Sequence, residues 1–222
     1  MSATPSRHSK PGRGPVIAVD GPAASGKGTI AAALAVHFGL PHMDTGLLYR
    51  SVALTLWRWG GDPGNPFEAV RACSEMGISP EDPELRSEAV SRIASAISAY
   101  PVVRAALLDR QREFAALPGG AVLDGRDVGT VIAPGADLKL FVTAAPEVRA
   151  RRRLKELEGR GMNATLAEVL ADIKARDARD VERSAAPLDQ AGDAIVLDTS
   201  AMDREAAIAE AIRIAGEKLG RP

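Results

Sequence analysis

The chain has one cysteine, three histidines and few aromatic residues, and each scarcity excludes a class of site. Cys73 alone cannot form an internal disulfide, and His8, His37 and His42 are too scattered for a metal-ligand cluster. Aromatic residues make up 4% of the sequence, which leaves little to stack bases. No apolar run approaches the roughly 20 residues that a membrane-spanning helix needs. We expect a reducing, cytoplasmic setting, no membrane or nucleic-acid partner and no resident metal.

Charge and length bound the chain further. A net charge of −1 over 222 residues gives no global attraction to nucleic acid or membranes, so any chemistry on anions must be local. The length suits one α/β domain with small accessory lobes, although two folding units are possible. Residues 1–14 mix Ser, Pro, Gly and basic residues without an apolar stretch, and we expect a disordered leader there.

Four short apolar runs alternate with long helical patterns. Val16–Asp20 is typical of a strand buried on both faces, and residues 121–124, 138–142 and 194–198 repeat the pattern. This alternation predicts an α/β fold, in which a parallel sheet has helices on both sides and ligands bind beyond the carboxyl ends of its strands. Helices are predicted at residues 27–38, 47–59, 88–100, 102–117, 146–158, 164–183 and 203–219.

Residues 21–29 follow the first strand and open the first predicted helix, with the Gly-x4-Gly-Lys spacing of a phosphate-binding loop. Gly21 and Gly26 permit turns that direct successive N–H groups at phosphate oxygens, and Lys27 adds a full charge. Gly28 stands where a Ser or Thr hydroxyl usually binds magnesium, so we expect magnesium to arrive with ATP and to be held largely through water. A plain glycine-rich turn is the less favoured alternative. The predicted ATP-binding residues are Gly21, Pro22, Ala23, Ala24, Ser25, Gly26, Lys27, Gly28 and Thr29.

Two other segments place arginines where a phosphorylated acceptor could bind. After a short polar turn, Thr45 could cap a helix that carries Arg50, whose guanidinium can bind phosphate bidentately. An ordinary capped helix with a solvated arginine is the alternative. Asp124-Gly-Arg-Asp-Val-Gly129 follows an apolar run at its carboxyl end, and a structural turn is the alternative there.

The helix predicted over residues 164–183 has a stripe that changes from apolar to charged. At helical spacing the stripe runs through Leu166, Val169, Leu170, Ile173, Arg176, Asp180 and Arg183. A solvated charge run would lie opposite the apolar residues, so we expect these charged groups to line a polar cleft.

A basic segment, Arg149-Ala-Arg-Arg-Arg153, lies near the start of the preceding helix. We interpret it as part of a lid whose arginines close over a transferring phosphate, with Gly159 and Gly161 freeing the exit turn. A basic surface patch is the alternative.

Together these segments resemble bacterial cytidylate kinases. The likeness rests on residues 21–29, on Asp44-Thr-Gly-Leu-Leu-Tyr-Arg50, on Asp124-Gly-Arg-Asp-Val-Gly-Thr130 and on residues 176–183 followed by Ala186-Pro-Leu188. It spans residues 16–219. It implies a three-layer α/β/α P-loop kinase fold with a central, mostly parallel five-stranded sheet, and transfer of the γ-phosphoryl group of ATP to CMP or dCMP.

The resemblance also implies a role for each matching residue. Lys27, Arg126, Arg183 and the lid residue Arg153 would act on the transferring phosphate. Ser95, Arg104 and Asp127 would bind the cytosine edge, where an arginine donating to N3 and the carbonyl suits cytosine and not uracil. Arg50, Arg126 and Arg183 would bind the acceptor phosphate, and Arg176 and Asp180 the sugar hydroxyls. The implied acceptor-binding residues are Thr45, Tyr49, Arg50, Ser95, Arg104, Asp124, Arg126, Asp127, Arg176, Asp180 and Arg183.

The sequence departs from the family after the acceptor-binding helix. Bacterial members commonly carry a longer insertion folded as a small antiparallel sheet, for which residues 77–85 leave little room. Residues 60–86 predict an excursion from the core with a weak helical pattern around residues 67–76. We expect a monomer with a single domain over residues 15–222, divided into a core (15–60, 101–146 and 184–222), an abbreviated acceptor-binding lobe (about 61–100) and lid and acceptor-site helices (about 147–183).

Other functions fit the sequence less well. An adenylate or shikimate kinase is the nearest alternative, and Ser95, Arg104 and Asp127 are the residues that discriminate against it. A GTP-binding switch lacks its guanine-reading motif, because neither Asn65 nor Asn163 begins Asn-Lys-x-Asp. An arginine-rich RNA-binding module fits the lid arginines but lacks aromatic residues.

Overall fold

A computed structural model describes residues 13–221, in which five strands form one sheet in the order β2-β3-β1-β4-β5. All four neighbouring pairs are parallel, so the predicted α/β sheet is confirmed without an antiparallel member. Most of the predicted leader, residues 1–12, lies outside the described residues. The strands are β1 Val16–Asp20, β2 His42–Asp44, β3 Ala121–Gly125, β4 Leu138–Thr143 and β5 Ile195–Asp198.

Eight α-helices are present in the described residues, and two of them, α1 and α6, have the predicted bounds. A 3-10 helix covers Pro83–Arg86 and a π-helical turn covers Val128–Ile132. The α-helices are α1 Lys27–Phe38, α2 Thr45–Arg58, α3 Pro66–Ser74, α4 Glu88–Ile97, α5 Pro101–Ala115, α6 Pro146–Glu158, α7 Leu166–Glu182 and α8 Arg204–Leu219.

The two faces of β1 are covered by different helices, which explains its continuous apolar sequence. Ile17 and Val19 pack with residues of α1 and α8, whereas Val16 and Ala18 pack with α5 and the π-helical turn. Successive side chains of a strand point to opposite faces, so the sheet lies between two helical layers. The three-layer α/β/α arrangement is therefore confirmed.

The short polar turn predicted before the helix that carries Arg50 is instead a strand, because residues 42–44 form β2. Each of the three is only half-buried, and the strand pairs with β3 alone at the edge of the sheet. A strand this short and this polar has no continuous apolar pattern to reveal it. Its last residue, Asp44, pairs in register with Asp124 of β3.

Two smaller apolar clusters lie outside the sheet. One joins α2, α3, α4 and α5 around Leu54, Leu56 and Leu85, and the described residues 59–100 that contribute to it contain no strand. The other joins α6 and α7 through residues that include Leu157 and Ile173. In the described part of the chain, no helix is both long and apolar enough to cross a membrane.

The predicted buried stripe of α7 holds except at its first residue. Val169 and Ile173 are buried, whereas Leu166 is 40% exposed because the helix begins there. Thr165 and Glu168 close this end with a capping box.

Candidate active site

The carboxyl edge of the sheet brings three aspartates together beside a glycine-rich loop. Asp20, Asp44 and Asp124 end or nearly end β1, β2 and β3, which are adjacent in the sheet. Residues 21–26 then connect β1 to the first turn of α1. In a parallel sheet this edge is where ligands bind, so the described geometry agrees with the sequence-based location of the site.

The loop takes backbone conformations that require glycine at two positions. Gly21 has φ +149° and lies so close to the carbonyl oxygen of Val142 that a Cβ atom would clash with it. Gly26 has φ +91° and precedes α1 without any side-chain cap. The first N–H groups of α1 are therefore available to an anion. The Ser25 hydroxyl in this loop is buried and has no hydrogen-bond partner among the described residues.

Lys27 lies in the first turn of α1 with its charge suppressed. Desolvation lowers the pKa of Lys27 to about 7, and repulsion from Arg126 adds to this shift, while Asp124 and Asp44 oppose it. A polyphosphate in the loop would reverse the shift, because an adjacent anion favours the charged form.

Gly28 and Asp124 define the surroundings that a magnesium ion would meet. A Cβ atom on Gly28 would lie 3.7 Å from Asp124 Oδ2, whereas Asp124 Oδ1 lies 2.8 Å from His42 Nε2. No group of three or more His, Cys, Asp or Glu residues within the described residues could hold a metal by itself. One free carboxylate oxygen beside the loop fits an ion that is held mainly by phosphates and water.

Asp44, and not Thr45, caps α2. The Asp44 carboxylate accepts the N–H of Leu47 at 3.1 Å, while the buried Thr45 hydroxyl donates to the carbonyl oxygen of Asp124 at 2.8 Å. Thr45 thus joins α2 to β3. The Arg50 guanidinium extends from α2 to the 3-10 helix and α4, where it donates to Leu85 O at 3.0 Å and to Ser91 Oγ at 2.7 Å.

Three arginines from two elements converge across the site. Arg126 follows β3, Arg176 lies on α7 and Arg183 ends α7, and desolvation lowers the pKa values of Arg176, to about 9, and of Arg183. Repulsion from Arg126 lowers the pKa of Arg176 further, and repulsion from Arg104 does the same for Arg183. Because these cations repel one another, the cleft favours an anionic ligand.

Unpartnered polar atoms mark the same cleft. Within the described residues, Arg176 Nε, Arg183 Nη2 and Ser95 Oγ are buried without a hydrogen-bond partner. Buried polar groups normally have partners, so these three atoms are groups with which a polar ligand can form hydrogen bonds. The charged end of the α7 stripe therefore does line a polar cleft.

A second polar group surrounds Arg104 on α5. Its guanidinium contacts the Asp127 carboxylate, donates to Ser98 O at 3.3 Å and lies 5.7 Å from the centre of the Tyr49 ring. Desolvation raises the pKa of the Tyr49 phenol to about 12. Ser95 lies one helical turn before Ser98. Two of the three residues predicted to contact a base, Arg104 and Asp127, are thus in contact.

The basic segment of α6 does not act as one unit. Arg149 forms a bidentate pair with Asp177 of α7, at 3.1 and 2.8 Å, and donates to Ala23 O at 3.3 Å. Arg152 donates to Thr199 Oγ1 at 2.9 Å and to Ser25 O at 3.4 Å. Both guanidiniums therefore contact carbonyl oxygens of the loop. That the arginines of this segment close over a phosphate stays a prediction.

Arg153 projects differently from the same helix. Its guanidinium pairs with Glu88, at the start of α4, and with Glu156 of its own helix at 2.6 Å. The nearby Arg160 donates to Arg86 O at 2.9 Å. The helix α6 and the turn after it are thus in contact with α4 and the 3-10 helix in this structure.

Two features of the site were missed by sequence reasoning. One is the Asp44 cap described above; the other is Asp20, whose buried carboxylate accepts two backbone N–H groups from Val128 and Gly129. The available signal was a strand that ends in a polar residue directly before the loop.

A parallel α/β/α sheet with a phosphate loop between β1 and α1, facing an arginine-lined cleft, defines a P-loop kinase. The cytidylate kinase family model matches residues 17–217, and this chain belongs to that family. A cytidylate kinase from Methylocella silvestris is 55% identical over 200 residues, covering 90% of this chain and 93% of the relative. A cytidylate kinase from Xanthobacter autotrophicus is 57% identical over 201 residues, covering 90% and 96%.

The fold also occurs in a solved structure of distant sequence. An uncharacterized protein from Eubacterium ventriosum superposes with a TM-score of 0.53 at 15% identity, covering 90% of this chain and 97% of that one. At this identity the likeness concerns the fold alone.

Proposed function

We propose that this chain transfers the γ-phosphoryl group of ATP to CMP and dCMP, giving ADP and the nucleoside diphosphate. The reaction is supported by the similarity of this chain to cytidylate kinases. The observation that carries the choice of acceptor is the contact between Arg104 and Asp127. Arg104 also donates to Ser98 O, one helical turn after Ser95, whose buried hydroxyl has no hydrogen-bond partner among the described residues. This set offers an arginine donor, a carboxylate acceptor and a hydroxyl to one base edge.

On the donor side, we propose that residues 21–29 bind the triphosphate of ATP. The uncapped N-terminus of α1 offers N–H groups, and Lys27 supplies a charge that the anion itself restores. Asp124 would hold the water ligands of a magnesium ion that arrives with the nucleotide, and such an ion would supply positive charge to the phosphates.

On the acceptor side, we propose that Arg50, Arg126 and Arg183 bind the phosphate of the nucleoside monophosphate. Arg176 and Asp180 would bind the sugar, as the family resemblance implies, and Asp180 pairs with Arg126 of that arginine group. Phosphoryl transfer needs alignment and positive charge more than covalent chemistry, and the converging guanidiniums supply both. A phosphate nucleophile is already ionised, so no general base is required.

We further propose that Arg153 acts on the transferring phosphate from the lid, within the lid and acceptor-site helices at about residues 147–183. In the structure its charge is shared between Glu88 and Glu156, so an incoming triphosphate would compete with two carboxylates. We also propose a cytoplasmic monomer with one domain over residues 15–222.

An acceptor panel tests the proposal. Purified protein with ATP and magnesium is offered CMP, dCMP, UMP, AMP and shikimate, and ADP formation is followed. CMP and dCMP should be phosphorylated well ahead of the others. Equal or better turnover of AMP or shikimate would overturn the choice of acceptor.

A further inference from the structure

Both carboxylate oxygens of Asp20 accept hydrogen bonds, from two consecutive backbone N–H groups. It is the last residue of β1, directly before Gly21, and its side chain is buried. Oδ1 accepts the N–H of Val128 at 2.8 Å and Oδ2 accepts the N–H of Gly129 at 2.7 Å. One carboxylate therefore joins the strand that enters the phosphate loop to a segment more than a hundred residues away.

The two amides belong to the start of the π-helical turn Val128–Ile132. No side chain hydrogen-bonds as a cap from Asp127, the residue before this turn. Helical segments leave their first N–H groups without partners inside the segment, and Asp20 supplies partners for two of them. The backbone that carries Arg126 and Asp127 is consequently fixed from β1.

Closely packed atoms hold the Asp20 carboxylate and the Gly129 backbone in fixed positions. A Cβ atom on Gly129 would lie 3.3 Å from Asp20 Oδ2 and 3.1 Å from Lys139 Cδ. The Lys139 ammonium lies 2.8 Å from Asp193, and no ion pair with Asp20 occurs among residues 13–221. Desolvation raises the pKa of Asp20 to about 6, although the two backbone hydrogen bonds lower it. The carboxylate therefore remains mainly ionised at neutral pH.

We propose that Asp20 is a positioning residue that holds Arg126 and Asp127 in register with the phosphate loop, and so links the donor and acceptor halves of the site. Asp20 need not touch either nucleotide for this role. The inference rests on the proposed CMP kinase activity, because Asp127 is assigned there to the cytosine edge.

The test compares Asp20→Asn with Asp137→Asn. An asparagine at position 20 keeps one acceptor oxygen but turns an amide donor toward an N–H donor, which displaces the π-helical turn. Asp137 is a matched control, since its Oδ2 also accepts a backbone N–H, that of Val16 at 2.8 Å, at the opposite end of β1. Both variants lose a carboxylate–backbone contact, but only the first is next to the site.

In Asp20→Asn we expect the KM for CMP to rise about tenfold and the preference for CMP over UMP to fall about tenfold, since an unpaired buried group costs enough to move the turn. The KM for ATP should change by less than about threefold. CMP binding measured by calorimetry should weaken in parallel. Asp137→Asn should leave all three quantities near wild type.

Three results decide the inference. Equal losses for ATP and CMP, or an unchanged base preference in folded Asp20→Asn, would overturn it while leaving the kinase activity of the wild type intact. If Asp20→Asn does not fold, Gly129→Ala gives the milder perturbation, and an unchanged preference there would also overturn the inference. Failure of the wild type to phosphorylate CMP would instead overturn the proposed function.

Discussion

Arg126 and Asp180 form a buried ion pair, with Arg126 Nε 2.8 Å from Asp180 Oδ2. The pair joins the turn after β3 to α7, so the two elements that supply most of the acceptor-side arginines are fixed together. Burial alone would raise the pKa of Asp180, but Arg126 lowers it by charge and by hydrogen bonding. Asp180 Oδ1 is 3.9 Å from Arg183 Nη1, which leaves that oxygen able to accept from a ligand.

Replacing the Asp180 carboxylate should weaken recognition of the sugar more than recognition of the base. In Asp180→Asn we expect kcat/KM for CMP to fall about tenfold or more, because a buried charged partner is removed from a group of arginines. The loss should be smaller for dCMP, which lacks one hydroxyl. Steady-state kinetics with both acceptors measures this, and the exposed Glu182→Gln on the same helix is the control. A larger loss for dCMP than for CMP would contradict the sugar assignment.

Nucleotide binding should take up a proton at Lys27. With a pKa of about 7 in the free protein, Lys27 is largely neutral above that pH, and a bound triphosphate raises its pKa again. ATP affinity should therefore weaken as pH rises from about 7 to about 9, with proton uptake near pH 8. Calorimetry in buffers of different ionisation enthalpy measures the uptake.

Lys27→Met serves as the control for this proton. It should bind ATP weakly and with little dependence on pH across the same range. Proton uptake of the same size in Lys27→Met would assign the proton to another group.

Arg149 should matter for both stability and ATP binding. Its guanidinium pairs bidentately with Asp177 and also contacts Ala23 O, a geometry that a lysine cannot reproduce. We expect Arg149→Lys to lower the free energy of unfolding by about 1–3 kcal/mol and to raise the KM for ATP more than that for CMP. Urea unfolding and kinetics provide the measurements. Arg151→Lys, at an exposed position of α6, should change neither; an equal effect there would refute the explanation.

The parts of the molecule that follow local patterns could be predicted from the sequence. The phosphate loop depends on the spacing of Gly21, Gly26 and Lys27, and β1 is apolar because both its faces are covered. The inward direction of Arg176 and Asp180 followed from the periodicity of α7. Each of these features is determined within a few residues of chain.

The remainder depends on contacts between distant segments. Asp20 has the appearance of an ordinary strand end, and its role depends on amides 108 and 109 residues away. Arg149 and Arg153 share one helix, yet their partners come from the loop, from α7 and from α4. Asp and Thr both commonly cap helices, so the sequence does not distinguish Asp44 from Thr45. Asp44 caps α2 because the Thr45 hydroxyl is bonded to β3.

The most direct test of the central claim is the ratio of kcat/KM for CMP to that for UMP, measured in the wild type and in Asp127→Ala. The claim predicts that the ratio falls about tenfold or more in the variant, because its carboxylate acceptor is lost, while the KM for ATP changes by less than about threefold. Asp109→Ala, exposed on α5, should keep the wild-type ratio. An unchanged ratio with a raised KM for ATP would contradict the account.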